Sequence, residues 1–134
     1  MRTIAWMALA CFAVMSAACG SKASTATSPS TTTAGPETWT SVLAPGGTSS
    51  RSFTVKAAGT ISVTMTSAGT TVGLGVGLPR VTGGGCRLGV AVNADASTTP
   101  QITTQADAGQ YCVQVYDLGT LTDPISFALK IDHP

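Results

Sequence analysis

The sequence predicts an all-β protein whose folded part is an antiparallel β-sandwich of about eight strands with a jelly-roll-like arrangement. Apolar and polar residues alternate with a period of two in short runs after residue 37, and clusters of Gly, Pro and Ser separate these runs. No segment after residue 37 has the 3.6-residue apolar period of a helix. Short alternating strands at this spacing are typical of sandwiches and barrels.

Each predicted strand is defined by its alternation and by the turn residues that flank it. The strands are 38–43, 51–57, 60–67, 72–78, 88–93, 101–105, 110–117 and 125–132. The residues predicted to face the core are Phe53, Val55, Ile61, Val63, Met65, Val72, Leu74, Val76, Leu78, Leu88, Val90, Val92, Tyr111, Val113, Val115, Ile125, Phe127, Leu129 and Ile131. Such a set fills the interior of one domain, predicted over residues 38–134.

Residues 1–18 have the pattern of a bacterial export signal: Arg2, an uncharged apolar run, and small residues before Cys19. Residues 16–19, SAAC, resemble the lipobox of bacterial lipoproteins, with serine where leucine is usual. The resemblance implies lipidation of Cys19 and anchoring in the envelope membrane, with the outer membrane favoured because Gly20 is not an aspartate retention signal. Ordinary signal peptidase cleavage, which would release a soluble protein, stays open. A retained span is disfavoured because the run is only about 16 residues long.

The chain contains four cysteines, and the predicted processing gives each one a place. Cys11 lies in the cleaved signal and Cys19 carries lipid. Cys86 and Cys112 then remain as a pair in an oxidising compartment, so we predict a disulfide between them.

The net charge of the chain limits the classes of partner that it could bind. Loss of Arg2 with the signal leaves six basic and six acidic residues, so the mature chain is neutral. This balance argues against nucleic-acid binding, which needs clustered Lys and Arg.

Residues 19–37 contain no large apolar residue and are predicted to form a flexible tether. As a random coil, the 17 residues from Ser21 to Glu37 would span about 23 Å.

Three stretches resemble the bacterial pre-peptidase C-terminal domain family, a β-sandwich module of secreted and envelope proteins. They are residues 51–65 (RSFTVKAAGTISVTM), 108–116 (AGQYCVQVY) and 125–131 (ISFALKI). The resemblance implies a β-sandwich module over most of residues 38–132. Residues 72–78, VGLGVGL, depart from the acidic and aromatic middle strand usual in the family. The carboxylates with which some members bind calcium therefore have no evident counterparts here.

The glycines of residues 72–78 form the first candidate binding surface. Gly73, Gly75 and Gly77 leave one strand face without side chains. This pattern indicates either a docking face or a strand covered by the protein's own chain. Trp39 and Tyr116 are the candidate aromatic residues for binding a sugar.

No set of residues specifies a reaction, a metal or a cofactor. The single histidine, His133, is expected to be mobile, and the single glutamate, Glu37, is assigned to the linker. Asn93, Asp95 and Asp107, or Asp117 with Asp123, could surround calcium, but solvated turns are the preferred interpretation. The hypothesis is a non-catalytic envelope module that binds a protein or a glycan. An accessory or inhibitory domain for a secreted hydrolase and a carbohydrate-binding module are the alternatives.

Overall fold

The computed structural model describes residues 35–134, which form two four-stranded antiparallel sheets packed face to face. The strands are β1 (Glu37–Leu43), β2 (Thr48–Val55), β3 (Gly59–Ala68), β4 (Val72–Pro79), β5 (Cys86–Ala94), β6 (Ile102–Ala106), β7 (Gly109–Tyr116) and β8 (Ile125–Asp132). These are the eight predicted strands. The largest shift is at β2, which begins three residues before its predicted start.

The strand order identifies the sandwich as a jelly roll. One sheet has the order β1-β8-β3-β6, which we call sheet A, and the other has the order β2-β7-β4-β5, which we call sheet B. Consecutive strands mostly lie in opposite sheets, as expected for two interleaved Greek keys. The predicted fold class is therefore confirmed. Residues 1–34, which include the predicted signal peptide, Cys19 and most of the linker, lie outside the described part.

The core lies between the sheets and comes from alternate residues of the strands. In β3 and β8, Ile61, Val63, Leu129 and Ile131 are completely buried. The outward-facing residues of the same strands are mostly Thr, Ser and Ala, with one Lys and one Asp. Alternation thus supplies a dry interior and a polar exterior, as in other antiparallel sandwiches.

Two residues predicted to face the core do not. Leu78 lies beyond the end of the core, and 52% of its surface is exposed. Leu88 lies on the outer face of sheet B because the register between β4 and β5 shifts between Val76 and Gly77. This shift adds Gly89 as an extra residue in β5, and a bulge of this kind reverses the face on which the following residues lie.

The first strand begins one residue before its predicted start. Glu37, assigned to the linker by sequence, is the first residue of β1 and pairs with Ile131 of β8. Residues 35–134 contain no helix that could span a membrane.

Candidate functional site

The three glycines of β4 lie on the outer face of sheet B, and all three are buried. A Cβ atom at Gly73 would overlap the ring of Tyr116, and one at Gly75 would lie 2.6 Å from a methyl carbon of Leu88. At Gly77 it would lie 2.7 Å from the Cα atom of Leu88 and would overlap the carbonyl of Arg87. Of the two interpretations of this strand, the geometry favours the one in which the protein's own chain covers it.

A disulfide fastens the chain that covers β4 at one end of the strand. Cys86 of β5 and Cys112 of β7 are bonded, with their Cα atoms 5.9 Å apart, and they flank the central strand β4. Cys112 is the register partner of Gly77 and lies off the core face, as predicted. The amide of Cys86 donates a hydrogen bond of 3.0 Å to Oε1 of Gln114, also in β7. The start of β5 thus bends over Gly77, whose lack of a side chain makes room for it.

The two candidate aromatic residues do not share a surface. Trp39 is in sheet A, where its ring packs edge-on against Phe127 with the centroids 5.1 Å apart. Tyr116 is in sheet B, and its half-buried ring covers Gly73 on the outer face. The structure therefore brings Tyr116 together with the glycine strand and Leu88, and it separates Trp39 from them.

The expectation that His133 is mobile is wrong. Its side chain is 2% exposed, and its ring lies 4.9 Å from that of Phe53 in β2. Nε2 lies 3.3 Å from Oε1 of Glu37, and the other carboxylate oxygen of Glu37 accepts a 3.2 Å bond from Arg51. Glu37 in sheet A thus connects with both Arg51 in sheet B and the residue that follows β8. Stacking on Phe53 and the bond to the Glu37 carboxylate therefore hold His133 in place near the chain end.

Asp117 fastens two loops together. Its Oδ2 accepts a 2.7 Å bond from the amide of Gly46 in the β1–β2 loop. Its Oδ1 accepts bonds from the amides of Gly119, Thr120 and Leu121. These backbone donors, with Gly46 the largest influence, lower the pKa of Asp117 below its ordinary value of 3.8. The sequence signal was available in residues 117–119, because Asp before a Leu-Gly pair is typical of a side-chain-capped turn.

The acidic loop residues considered as calcium ligands differ in position and in hydrogen-bond partners. Asp95 accepts a hydrogen bond from the hydroxyl of Thr71, and Asp107 lies in a loop at the opposite end of the sandwich. Among residues 35–134 no three His, Cys, Asp or Glu residues are grouped closely enough to hold a metal ion. Asp117 uses its oxygens for the loop amides described above.

Comparison with known proteins adds no relative from which a function could be transferred. No protein-family model matches the chain, and no curated protein is significantly similar to it.

Proposed function

We propose that the protein is a non-catalytic binding or structural module of the cell envelope, exported by a signal peptide and anchored through lipid on Cys19. The Cys86–Cys112 disulfide is the observation that carries the proposal. A structural disulfide needs an oxidising compartment, which export would provide. The disulfide also uses both cysteines of the folded domain. In a mature chain Cys19 is then the cysteine without a disulfide partner, and lipid attachment would give it a role.

The environment of His133 supports the non-catalytic part of the proposal. A general base must reach the proton that it removes, within about 3 Å of a substrate atom. The His133 ring is enclosed by Phe53 and bonded to Glu37, so its burial keeps a substrate away. A Ser-His-Asp triad would need this same histidine, since it is the only one in the chain.

The same module could bind a protein or a glycan, or act as the accessory or inhibitory domain of a secreted hydrolase. The resemblance to the pre-peptidase C-terminal domain family favours an appended or envelope-associated module in each case. Tyr116, with its ring on the outer face of sheet B, is the residue that supports a carbohydrate-binding role. Crosslinking in intact envelopes distinguishes these possibilities, because a hydrolase would be recovered as a protein partner and a glycan would not.

The anchoring is tested by the intact mass of the protein isolated from its native membrane. We expect a chain that begins at Cys19 and carries diacylglycerol with an amide-linked fatty acid. A Cys19→Ser variant should lose detergent-phase partitioning, whereas a Cys11→Ser variant, altered inside the predicted signal, should retain it. An unmodified chain beginning at Cys19 would instead establish a soluble secreted protein.

A further inference from the structure

The fold places the chain entry, three of the connections between strands and the two residues after β8 at one end of the sandwich. Odd-numbered strands begin at this end and even-numbered strands finish there, because consecutive strands are antiparallel in direction. We call it the tether end, because the chain joins the domain here at Glu37. It contains segments 56–58, 80–85, 107–108 and 133–134. The opposite end, which we call the far end, contains segments 44–47, 69–71, 95–101 and 117–124.

The charges divide between the two ends although the chain is nearly neutral overall. The far-end loops contain Asp95, Asp117 and Asp123 and no Lys or Arg. The basic residues at the tether end are Lys56 and Arg80 in its loops and Arg87 in the second position of β5, and its loops contain a single acid, Asp107.

The remaining charged groups largely compensate one another. Glu37 pairs with Arg51, and Lys130 pairs with Asp132 at 3.0 Å. None of the ion pairs within residues 35–134 includes Lys56, Arg80 or Arg87. Arg80 donates one hydrogen bond, of 3.3 Å, from Nε to the carbonyl oxygen of Cys86, and its positive charge, like those of Lys56 and Arg87, is therefore available to an external anion.

The β4–β5 loop adds exposed apolar side chains to this basic end. Val81 is completely exposed at the tip, and Leu78 at the loop's base is 52% exposed. Leu78 is the register partner of Arg87, so an apolar and a cationic side chain lie side by side. Gly83, Gly84 and Gly85 all have positive φ, and the disulfide at Cys86 fixes the loop's return. The tip is thus held away from the sandwich on a covalently fastened base.

We infer that the tether end docks on an anionic phospholipid surface, with Val81 entering the interfacial region and Arg80 and Arg87 contacting phosphate headgroups. This inference rests on the proposed function for the choice of membrane, since lipid on Cys19 would bring that surface to this end of the domain. The acidic far end is repelled by the same surface. Charge segregation therefore sets the orientation, with the far end directed away from the membrane.

Co-sedimentation with vesicles tests the surface without the lipid anchor. The probe is phosphatidylcholine vesicles with and without phosphatidylglycerol, and the protein is the chain from residue 19 onward, without the apolar signal, carrying Cys19→Ser. We expect binding to the anionic vesicles and little to the neutral ones. Arg80→Gln and Arg87→Gln should each weaken it about fivefold, from the usual contribution of one basic residue near such a surface. Lys130→Gln, which removes the same charge from a paired side chain, is the matched control and should bind as the parent does.

A second matched pair of variants tests the contribution of the apolar tip, Val81, to vesicle binding. Val81→Ser should weaken binding about five- to tenfold, because a valine side chain is withdrawn from the interface. Leu118→Ser changes an exposed apolar residue at the far end and should have no effect. Val81→Trp adds a reporter, which we expect brominated lipids to quench, and Leu118→Trp should not be quenched. All variants share the same N-terminal segment, so differences among them come from the folded domain.

Equal binding to neutral and anionic vesicles, or equal losses from Lys130→Gln and Arg80→Gln, would overturn the inference. Retention on an anionic envelope polysaccharide without vesicle binding would also overturn it and would assign the basic end to a glycan. The result is separate from the anchoring question, because lipid on Cys19 is read from the intact mass. Either proposal can therefore fail while the other stands.

Discussion

Gly77→Ala tests whether the glycines of β4 are there to admit the protein's own chain. An alanine Cβ at this position would overlap the Arg87 carbonyl and approach the Cα of Leu88, and both are backbone atoms. They cannot rotate away as a side chain would, and the disulfide at Cys86 limits how far the start of β5 can move. The substitution therefore forces a backbone displacement in a packed region.

Overpacking of this kind costs about 1–3 kcal/mol, and the fixed backbone places Gly77→Ala at about 2–3 kcal/mol. For a domain of this size each kcal/mol lowers Tm by roughly 4–8 °C, so we expect a decrease of about 10–20 °C. Calorimetry and urea unfolding measure the change. Gly73→Ala should cost less, because Tyr116 can swing outward from the added methyl group.

Gly89→Ala is the matched control on the neighbouring strand. Its added Cβ would lie 3.8 Å from the Val76 carbonyl oxygen, an ordinary van der Waals contact, and Gly89 does not require positive φ. We expect a change within about 0.5 kcal/mol. If Gly77→Ala were as stable as Gly89→Ala, the close approach of β5 would not be the reason for glycine. A loss of partner binding with stability intact would instead favour the docking-face interpretation.

Two further substitutions examine the contacts that hold the ends of the sandwich. Asp117→Asn should destabilise the protein at pH 7, and its difference from wild type in the free energy of urea unfolding should shrink at about pH 2. The pKa of Asp117 is lowered in the folded protein. The carboxylate therefore stabilises the fold above its unfolded pKa, and this contribution is lost as the pH falls through the folded pKa. A difference that is constant with pH would contradict this reason. His133→Ala should lower the free energy of unfolding by about 2–4 kcal/mol, because it removes a buried ring from Phe53 and leaves Glu37 with one partner fewer. His133→Phe, which retains the stacking, should recover part of that loss, and unchanged stability in the alanine variant would restore the expectation of a mobile histidine.

The fold was predictable because alternation and turn residues act locally. A period of two assigns each side chain to a face, and the Gly, Pro and Ser clusters mark where a strand must stop. The disulfide was predictable for a different reason, since counting cysteines against the predicted processing left Cys86 and Cys112 as a pair. Neither argument needs any knowledge of which strands become neighbours.

The errors occurred where the pattern depends on such neighbours. Leu88 belongs to an apparently regular alternation with Val90 and Val92, but the bulge at Gly89 changes its face, and a bulge is defined only by the register with β4. Leu78 continues the alternation of β4, but the core ends before it because the facing sheet does not cover that position. Local periodicity cannot indicate where an opposing layer ends.

Glu37 and His133 show the same limit for polar residues. They are 96 positions apart, and only the pairing of β1 with β8 brings the start of the first strand to the end of the last. Arg51 reaches Glu37 from the second sheet, so the cluster exists only after the sandwich has closed. The carboxylate of the first residue of β1 thereby bonds to groups of both layers. Because β1 is an edge strand with a backbone partner on one side alone, the bond from Arg51 gives its first residue a second attachment, in sheet B, at the position where the predicted linker would join the domain.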